Sequence, residues 1–98
     1  MAPDTHVLTE LEAILTGRRD DPPPGGSYSA DLVADPERAQ RKIMEEAFEL
    51  CLELGRPDPD PARTAEEAAD LLFSVLAGIV GARVELDAVL AVLTERRR

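Results

Sequence analysis

Residues 60–81 read DPARTAEEAADLLFSVLAGIVG, and no other part of the chain constrains the fold as strongly. Asp60 followed by Pro61 is typical of a helix start, because aspartate caps the first backbone N–H groups and proline is tolerated at the first helical position. The residues that follow are apolar on nearly every face, as in a helix surrounded by other helices. The segment therefore predicts a central helix that ends near Gly81. Because the chain offers few other helices, we expect a partner chain to cover part of it.

The helix before this one is predicted to be amphipathic. Asp35-Pro36 repeats the aspartate–proline start, and Gly55 ends the helix before a proline-rich loop. One face is expected to be buried and the opposite, charged face to be solvated. The apolar stripe consists of Ile43, Ala47, Leu50 and Leu54, widened by Met44, Phe48 and Cys51, and the charged face consists of Lys42, Glu45, Glu46, Glu49 and Glu53.

Weaker patterns indicate the remaining elements. A first helix runs from about Asp4 to Arg18, and a last helix runs from Leu86 to Arg96. Between the first and second helices, a loop with three prolines leads into a short turn capped by Ser29. The sequence thus predicts one all-α domain over residues 1–98, a small protomer of about four helices that pairs into a dimeric helical bundle.

The composition argues against several classes of function. The chain has 11 Lys and Arg residues against 20 Asp and Glu residues, a net charge of −9, which disfavours contact with nucleic acid polymers or anionic membranes. The longest apolar segment, from Ala68 to Gly81, is too short to cross a bilayer and contains Asp70. No leader pattern opens the chain, and the lone Cys51 cannot form an intrachain disulfide. We therefore expect a soluble, cytoplasmic protein.

Two acidic pairs carry the strongest indication of chemistry. Glu46 and Glu49 are three residues apart on one predicted helix, and Glu67 and Asp70 are three apart on the next. The short connection makes these helices antiparallel neighbours, so the four carboxylates are able to converge. Mg²⁺ takes oxygen ligands and shares them with substrate phosphates, which suits a metal-dependent phosphate reaction. No set of His and Cys residues competes for a softer metal.

A solvated surface is the alternative interpretation of these acids, because glutamates on helices usually face water. Asp70 weighs against that interpretation, since its helix is apolar all round and an unpaired buried carboxylate would cost several kcal/mol. A buried Asp70 needs either a cation or a proton with a hydrogen-bond partner. A metal ion is one way to supply the cation.

Residues near the pairs are candidates for further roles. Glu45 fits a general base as well as it fits a surface residue. Lys42 fits a phosphate contact or an i,i+4 pair with Glu46. Arg18 and Arg19, beside the glycine-containing loop, fit phosphate binding or the closing of the first helix. The residues alone leave each of these alternatives open.

The order of these motifs resembles the phosphoribosyl-ATP pyrophosphohydrolase family, within the all-α nucleoside triphosphate pyrophosphohydrolases that include MazG-like enzymes and dimeric dUTPases. The resemblance covers nearly the whole chain. The superfamily's E-x-x-E and E-x-x-D pairs are matched within KIMEEAFE at residues 42–49 and EAADLLF at residues 67–73, with 17 residues between the pairs. The histidine-pathway branch is also matched by SYSADL at residues 27–32 and by the tail VELDAVLAVLTERR at residues 84–97.

This resemblance implies hydrolysis of the α–β phosphoanhydride of phosphoribosyl-ATP to phosphoribosyl-AMP and pyrophosphate. It implies Mg²⁺ as cofactor, which would neutralise the triphosphate, polarise the bond and orient or deprotonate the attacking water. It also implies a homodimer, because members of the family are dimers of helical protomers. The implied metal ligands are Glu46, Glu49, Glu67 and Asp70, the implied base is Glu45 beside the catalytic Glu46 and Glu49, and the implied phosphate contacts are Lys42 with Arg18 or Arg19.

Three departures from the family pattern concern the substrate. Ser74 stands where the family has His, Met44 replaces the usual Gly before the glutamate pair, and LELGRP at residues 52–57 replaces a segment rich in Ala and Lys. These departures keep open a paralogous pyrophosphohydrolase that acts on another nucleoside triphosphate or on a specialised-pathway nucleotide. A non-catalytic helical dimer that binds a nucleotide or a protein is the alternative from a different class.

Overall fold

The computed structural model describes residues 3–97 and is all-helical, as predicted. It has five helices rather than about four, because the short turn after the proline-containing loop is a helix in its own right. No strand occurs in this part of the chain. Within residues 3–97, no helix combines the length and the apolar character needed to cross a membrane. The helices are α1 (Val7–Asp20), α2 (Tyr28–Ala34), α3 (Pro36–Leu54), α4 (Pro61–Gly81) and α5 (Leu86–Arg96).

Local capping fixes the starts of the two longest helices. The Asp35 carboxylate accepts a hydrogen bond of 3.2 Å from a backbone N–H in the first turn of α3. Asp60 accepts one of 3.1 Å at the start of α4, and a proline follows each cap. Both aspartate–proline starts are confirmed, as are the ends of these helices near Gly55 and Gly81.

The region before α3 differs from the prediction. α1 begins at Val7, three residues later than expected, and runs on to Asp20. α2 is capped by Ser27, whose hydroxyl accepts a hydrogen bond of 3.1 Å from an α2 backbone N–H, and not by Ser29. Ser29 instead accepts a hydrogen bond of 2.7 Å from the Arg18 guanidinium. Local patterns do not reveal this contact, because it spans the loop between α1 and α2.

The hydrophobic core lies at one end of the α3–α4 hairpin. α3 and α4 pack against each other, and α1 and α2 pack against the C-terminal half of α4. Gly81 permits this packing, because a Cβ atom there would lie 2.6 Å from the Val33 carbonyl oxygen of α2. Residues 40–75 contribute none of the buried apolar side chains, so the acidic pairs lie outside this core. The core consists of Leu15, Leu32, Val33, Ala39, Leu76, Ala77, Val80 and Leu86.

Much apolar surface is left uncovered in the single chain. Met44 is 68% exposed and Phe48 is 63% exposed, although both were predicted to widen the buried stripe of α3. Cys51 is also exposed, so its predicted place in that buried stripe is wrong. The radius of gyration is 14.8 Å, against roughly 13 Å for a compact domain of about 100 residues. Exposed apolar patches of this kind mark interaction surfaces.

Candidate active site

The acidic pair on α3 faces α4 through Glu46. The Ser74 hydroxyl of α4 is 1% exposed and donates a hydrogen bond to Glu46 Oε1. Glu49 lies about one turn further along α3, with an exposed side chain, and contacts Glu67 of α4. The pair therefore contains one carboxylate that α4 holds in place and one that is open to solvent.

The acidic pair on α4 contains a buried carboxylate. Glu67 is 9% exposed, and its Oε2 has no hydrogen-bond partner within residues 3–97. Burial, and after it the neighbouring Glu49 carboxyl, raise the pKa of Glu67 above its ordinary value. Asp70 is exposed in the single chain, so the expectation that Asp70 is the buried acid is wrong. The packing of α4 on α3 places Glu67, and not Asp70, in the helix interface. Glu67 is therefore the buried carboxylate that needs a cation or a proton.

The donor chemistry fits a hard divalent cation. Every candidate ligand offers carboxylate oxygen, which Mg²⁺ prefers. Glu67, a neighbour of Glu49, supplies a buried oxygen that has no hydrogen-bond partner in the described part of the chain. Within residues 3–97, however, no three Asp, Glu, His or Cys side chains are close enough together to form a metal site as they stand. Metal ligation by Glu46, Glu49, Glu67 and Asp70 therefore stays a prediction.

Two cationic side chains, Lys42 and Arg38, precede the acidic pair on α3. Lys42 Nζ lies 3.5 Å from Glu45 Oε2. The Tyr28 phenol, and after it Glu45 and Glu46, raise the pKa of Lys42 above its ordinary value. The Arg38 guanidinium lies over the Tyr28 ring, 5.8 Å from its centroid. The fold thus brings the predicted phosphate contact Lys42 and the predicted base Glu45 together.

The two arginines predicted as phosphate contacts have different surroundings. Arg18 donates hydrogen bonds of 3.2 and 2.7 Å to the hydroxyls of Ser27 and Ser29. Arg19 donates a hydrogen bond of 2.8 Å to a main-chain carbonyl near the C-terminus of α4, and it pairs with Asp20. Arg19 also lines an open cavity of about 700 Å³ between α1 and the α4–α5 loop, which none of the four predicted metal ligands lines. Its contacts join two helices at the end of α4 remote from the acidic pairs.

Sequence patterns miss a second buried acid, Glu53, which they place on the solvated face of α3. Glu53 is 4% exposed and accepts a hydrogen bond of 2.9 Å from the Asp60 backbone N–H. Arg56 and Arg63 pair with it at 3.2 and 3.3 Å, and Arg63 also lies 3.5 Å from Glu67. These bonds tie the α3–α4 loop to the acidic site. The only signal in the sequence is the pair of arginines that flank the proline-rich loop.

An open cavity of about 420 Å³ lies at this end of the hairpin. Carboxylates and two guanidinium groups line it. The carboxylates are suited to bind a cation, and the guanidinium groups are suited to bind phosphate oxygens. Its lining consists of Glu49, Leu52, Glu53, Arg56, Arg63 and Glu67.

Glu53 is expected to control part of the acid sensitivity of the fold. The Asp60 backbone N–H, followed by Arg56 and Arg63, holds the pKa of Glu53 below its ordinary value of 4.5. Below that value the unfolded chain therefore binds more protons than the native protein, and the stabilisation from Glu53 is lost as the pH falls through its native-state pKa. A Glu53→Gln variant should melt several degrees lower than the wild type at pH 7.

Thermal unfolding followed by circular dichroism from about pH 3 to about pH 7 measures this effect. The difference between wild type and Glu53→Gln should shrink towards the acid end of the range. The exposed Glu66, changed to glutamine, is the control for loss of a surface charge. Equal differences at every pH would show that another group governs the acid response.

Comparison with known proteins finds relatives that match nearly the whole chain. A family model described as phosphoribosyl-ATP pyrophosphohydrolase matches residues 8–97. The phosphoribosyl-ATP pyrophosphatase of Methanosphaerula palustris is 39% identical over 98 residues, which cover 97% of this chain and 96% of that protein. The phosphoribosyl-ATP pyrophosphatase of Cereibacter sphaeroides is 40% identical over 91 residues, which cover 92% of this chain and 85% of that protein.

A longer relative contains the same region. The histidine biosynthesis bifunctional protein HisIE of Synechocystis is 37% identical over 97 residues, which cover 98% of this chain but 44% of that protein. The chain thus spans less than half of this relative and nearly the whole of the Methanosphaerula protein. From the match over residues 8–97, the chain belongs to the phosphoribosyl-ATP pyrophosphohydrolase family.

Proposed function

We propose that the protein hydrolyses the α–β phosphoanhydride of phosphoribosyl-ATP, giving phosphoribosyl-AMP and pyrophosphate, with Mg²⁺ as its cofactor. The observation that carries this proposal is the buried Glu67 between α3 and α4, which neighbours Glu49 and has one oxygen without a hydrogen-bond partner within residues 3–97. Relatives that align over most of their own length are named for this activity. We further propose that the enzyme works in the cytoplasm as a homodimer.

Different residues of the chain would bind the metal, bind phosphate and accept a proton in this reaction. The cation would be held by Glu46, Glu49, Glu67 and Asp70, and when bound it supplies charge neutralisation and activation of water. Lys42, with Arg18, would bind phosphate oxygens, whereas Arg19 is held by the Val80 carbonyl at the far end of α4 and is the weaker of the two predicted arginine contacts. Glu45, 3.5 Å from Lys42 Nζ, would accept a proton from the water that attacks the α-phosphorus. The bond to the bridging oxygen then breaks, and pyrophosphate leaves.

The homodimer is supported by the distribution of apolar side chains. Within residues 3–97, fourteen large hydrophobic residues are exposed and nine hydrophobic residues are buried. α5 buries only Leu86 in the single chain, although it exposes Val89, Leu90, Val92 and Leu93. A second copy would cover such surface, and small domains gain most from this because they bury little area alone.

A second candidate is a paralogous pyrophosphohydrolase for another nucleotide. Ser74, which stands at the position of the family's histidine, contacts Glu46 directly, so a difference in the family pattern lies inside the acidic site. The metal chemistry would be the same in both candidates, and only the base and sugar recognised would differ.

Pyrophosphate release from phosphoribosyl-ATP in the presence of Mg²⁺ tests the proposal. We expect turnover that stops on addition of EDTA and that is absent in a Glu49→Gln variant. A parallel panel of dUTP, dCTP and other nucleoside triphosphates separates the two candidates, because only the paralogue would turn over one of these instead. Lack of turnover with every nucleotide would favour a non-catalytic binding dimer.

A further inference from the structure

Ser74 is a deeply buried polar residue in the middle of α4. Its side chain is 1% exposed, and its hydroxyl donates a hydrogen bond to Glu46 Oε1, 28 residues away on α3. A buried hydroxyl needs a hydrogen-bond partner, because its transfer out of water is otherwise unfavourable. The partner here is one of the predicted metal ligands, so the bond couples the packing of the two helices to the acidic site.

This hydrogen bond restricts the Glu46 side chain. A glutamate has three rotatable bonds, and an unrestrained carboxylate must lose that freedom when it binds a cation. The Ser74 hydroxyl occupies one lone pair of Oε1 and leaves Oε2 unengaged by this bond. We propose that Ser74 is a positioning residue that holds Glu46 ready for the divalent cation and thereby sets the affinity of the site for it. This inference rests on the proposed function.

The neutral hydroxyl suits this role better than a charged donor would. Arg63, which lies 3.5 Å from Glu67, partly neutralises that carboxylate and so competes with a cation for it. Ser74 restrains Glu46 without adding a positive charge of its own, so this bond weakens the attraction of Glu46 for a metal less than a cationic donor would. The two helices thus present two carboxylates in different states, Glu46 restrained by a neutral donor and Glu67 paired with a cationic one.

Binding of Mn²⁺, measured by isothermal titration calorimetry, tests the proposal directly and without turnover. A Ser74→Ala variant should bind Mn²⁺ about tenfold more weakly than the wild type, as is usual when a group that orients a metal ligand is lost. Ser74→Thr restores the hydroxyl and should recover most of the affinity. In pyrophosphate release, Ser74→Ala should need more Mg²⁺ for half-maximal rate and keep kcat at saturating Mg²⁺.

Thr64→Ala is the matched control, because Thr64 lies on the same helix and its hydroxyl donates to the Asp60 carbonyl at 2.8 Å rather than to an acidic ligand. Its Mn²⁺ affinity should equal that of the wild type. Thermal unfolding establishes that each variant is folded. Should Ser74→Ala not fold, Ser74→Cys keeps the side-chain size, supplies only a weak donor, and is expected to bind Mn²⁺ more weakly than the wild type.

The outcomes separate this inference from the proposed function. Wild-type protein that binds Mn²⁺, together with Ser74→Ala or Ser74→Cys of equal affinity, overturns the role of Ser74 and leaves the proposed function standing. Wild-type protein that binds no Mn²⁺ overturns both. Weaker binding in a folded Ser74→Ala variant that threonine restores supports the positioning role, since a merely structural role would lower the melting temperature and leave the Mn²⁺ affinity of the folded protein unchanged.

Discussion

Replacing Glu67 with glutamine is expected to lower turnover by about a hundredfold or more, and to raise the melting temperature of the metal-free protein. Turnover falls because the site loses a charged oxygen ligand, whereas loss of a group that merely orients a ligand costs about 10- to 100-fold. Stability rises because Glu67 is 9% exposed, lies beside Glu49 and has an oxygen for which residues 3–97 provide no hydrogen-bond partner. An amide of the same shape brings no charge into that site. The lost pair with Arg63 contributes little, because Arg63 is 60% exposed.

Pyrophosphate release and thermal unfolding, each with and without Mg²⁺, measure the two halves of this expectation. Mg²⁺ should raise the melting temperature of the wild type, since a ligand of the native state stabilises it, and should leave that of Glu67→Gln nearly unchanged. Glu66→Gln is the matched control, because it makes the same chemical change at an exposed neighbour on α4. Turnover retained in Glu67→Gln would remove Glu67 from the site. If Glu67→Gln melts at a lower temperature than the wild type without Mg²⁺, the buried charge of Glu67 does not destabilise the metal-free protein.

Helix ends that depend on neighbouring residues are predictable from this sequence. Asp35 and Asp60 each cap a helix whose first residue is proline, and the last helix runs over Leu86–Arg96 as expected. The cap of α2 is not predictable in this way. Ser27 and Ser29 are equally good caps by local chemistry, and the choice between them is coupled to Arg18, which reaches both hydroxyls from α1.

The spacing of the acidic residues selects them as candidates for the site, but it does not predict which of them are buried. The rotation of α4 about its axis decides which acid enters the helix interface, and the packing of the whole hairpin sets that rotation. Glu67 is therefore buried where Asp70 was expected to be. Glu53 is buried because Arg56 and the Asp60 backbone fold back over it from the loop, and no helical periodicity describes a loop.

The same limit applies to the apolar face of α3. Periodicity shows that Met44, Phe48, Cys51 and Leu52 share a face, but it does not show what covers that face. Met44, Phe48 and Cys51 lie on the side of α3 opposite Glu46, which faces α4. Leu52 lies between that side and the cavity beside Glu49, and all four residues are exposed in the single chain. Their apolar side chains are uncovered in the single chain, and the proposed homodimer would explain why they are apolar.

Replacing Phe48 with aspartate is therefore expected to dissociate the homodimer. Phe48 is 63% exposed in the single chain, and burying a phenylalanine side chain contributes about 1.5–3 kcal/mol. In a two-fold interface each protomer contributes one Phe48, so the substitution acts twice. The dissociation constant should therefore rise by about a hundredfold or more. The carboxylate adds to this effect, because it would enter an apolar contact without a partner.

Analytical ultracentrifugation over a range of protein concentrations measures this change. The wild type should sediment with near twice the chain mass of 10.6 kDa, and Phe48→Asp should sediment near that mass itself and melt at a lower temperature. Gln40→Asp is the control, since it adds the same carboxylate at an exposed polar position of α3. A Phe48→Asp variant that stays dimeric would place the interface elsewhere, with the exposed face of α5 as the next surface to test. A monomeric wild type would leave the fourteen exposed hydrophobic residues of the described chain without a second copy to cover them, and the homodimer proposal would fail.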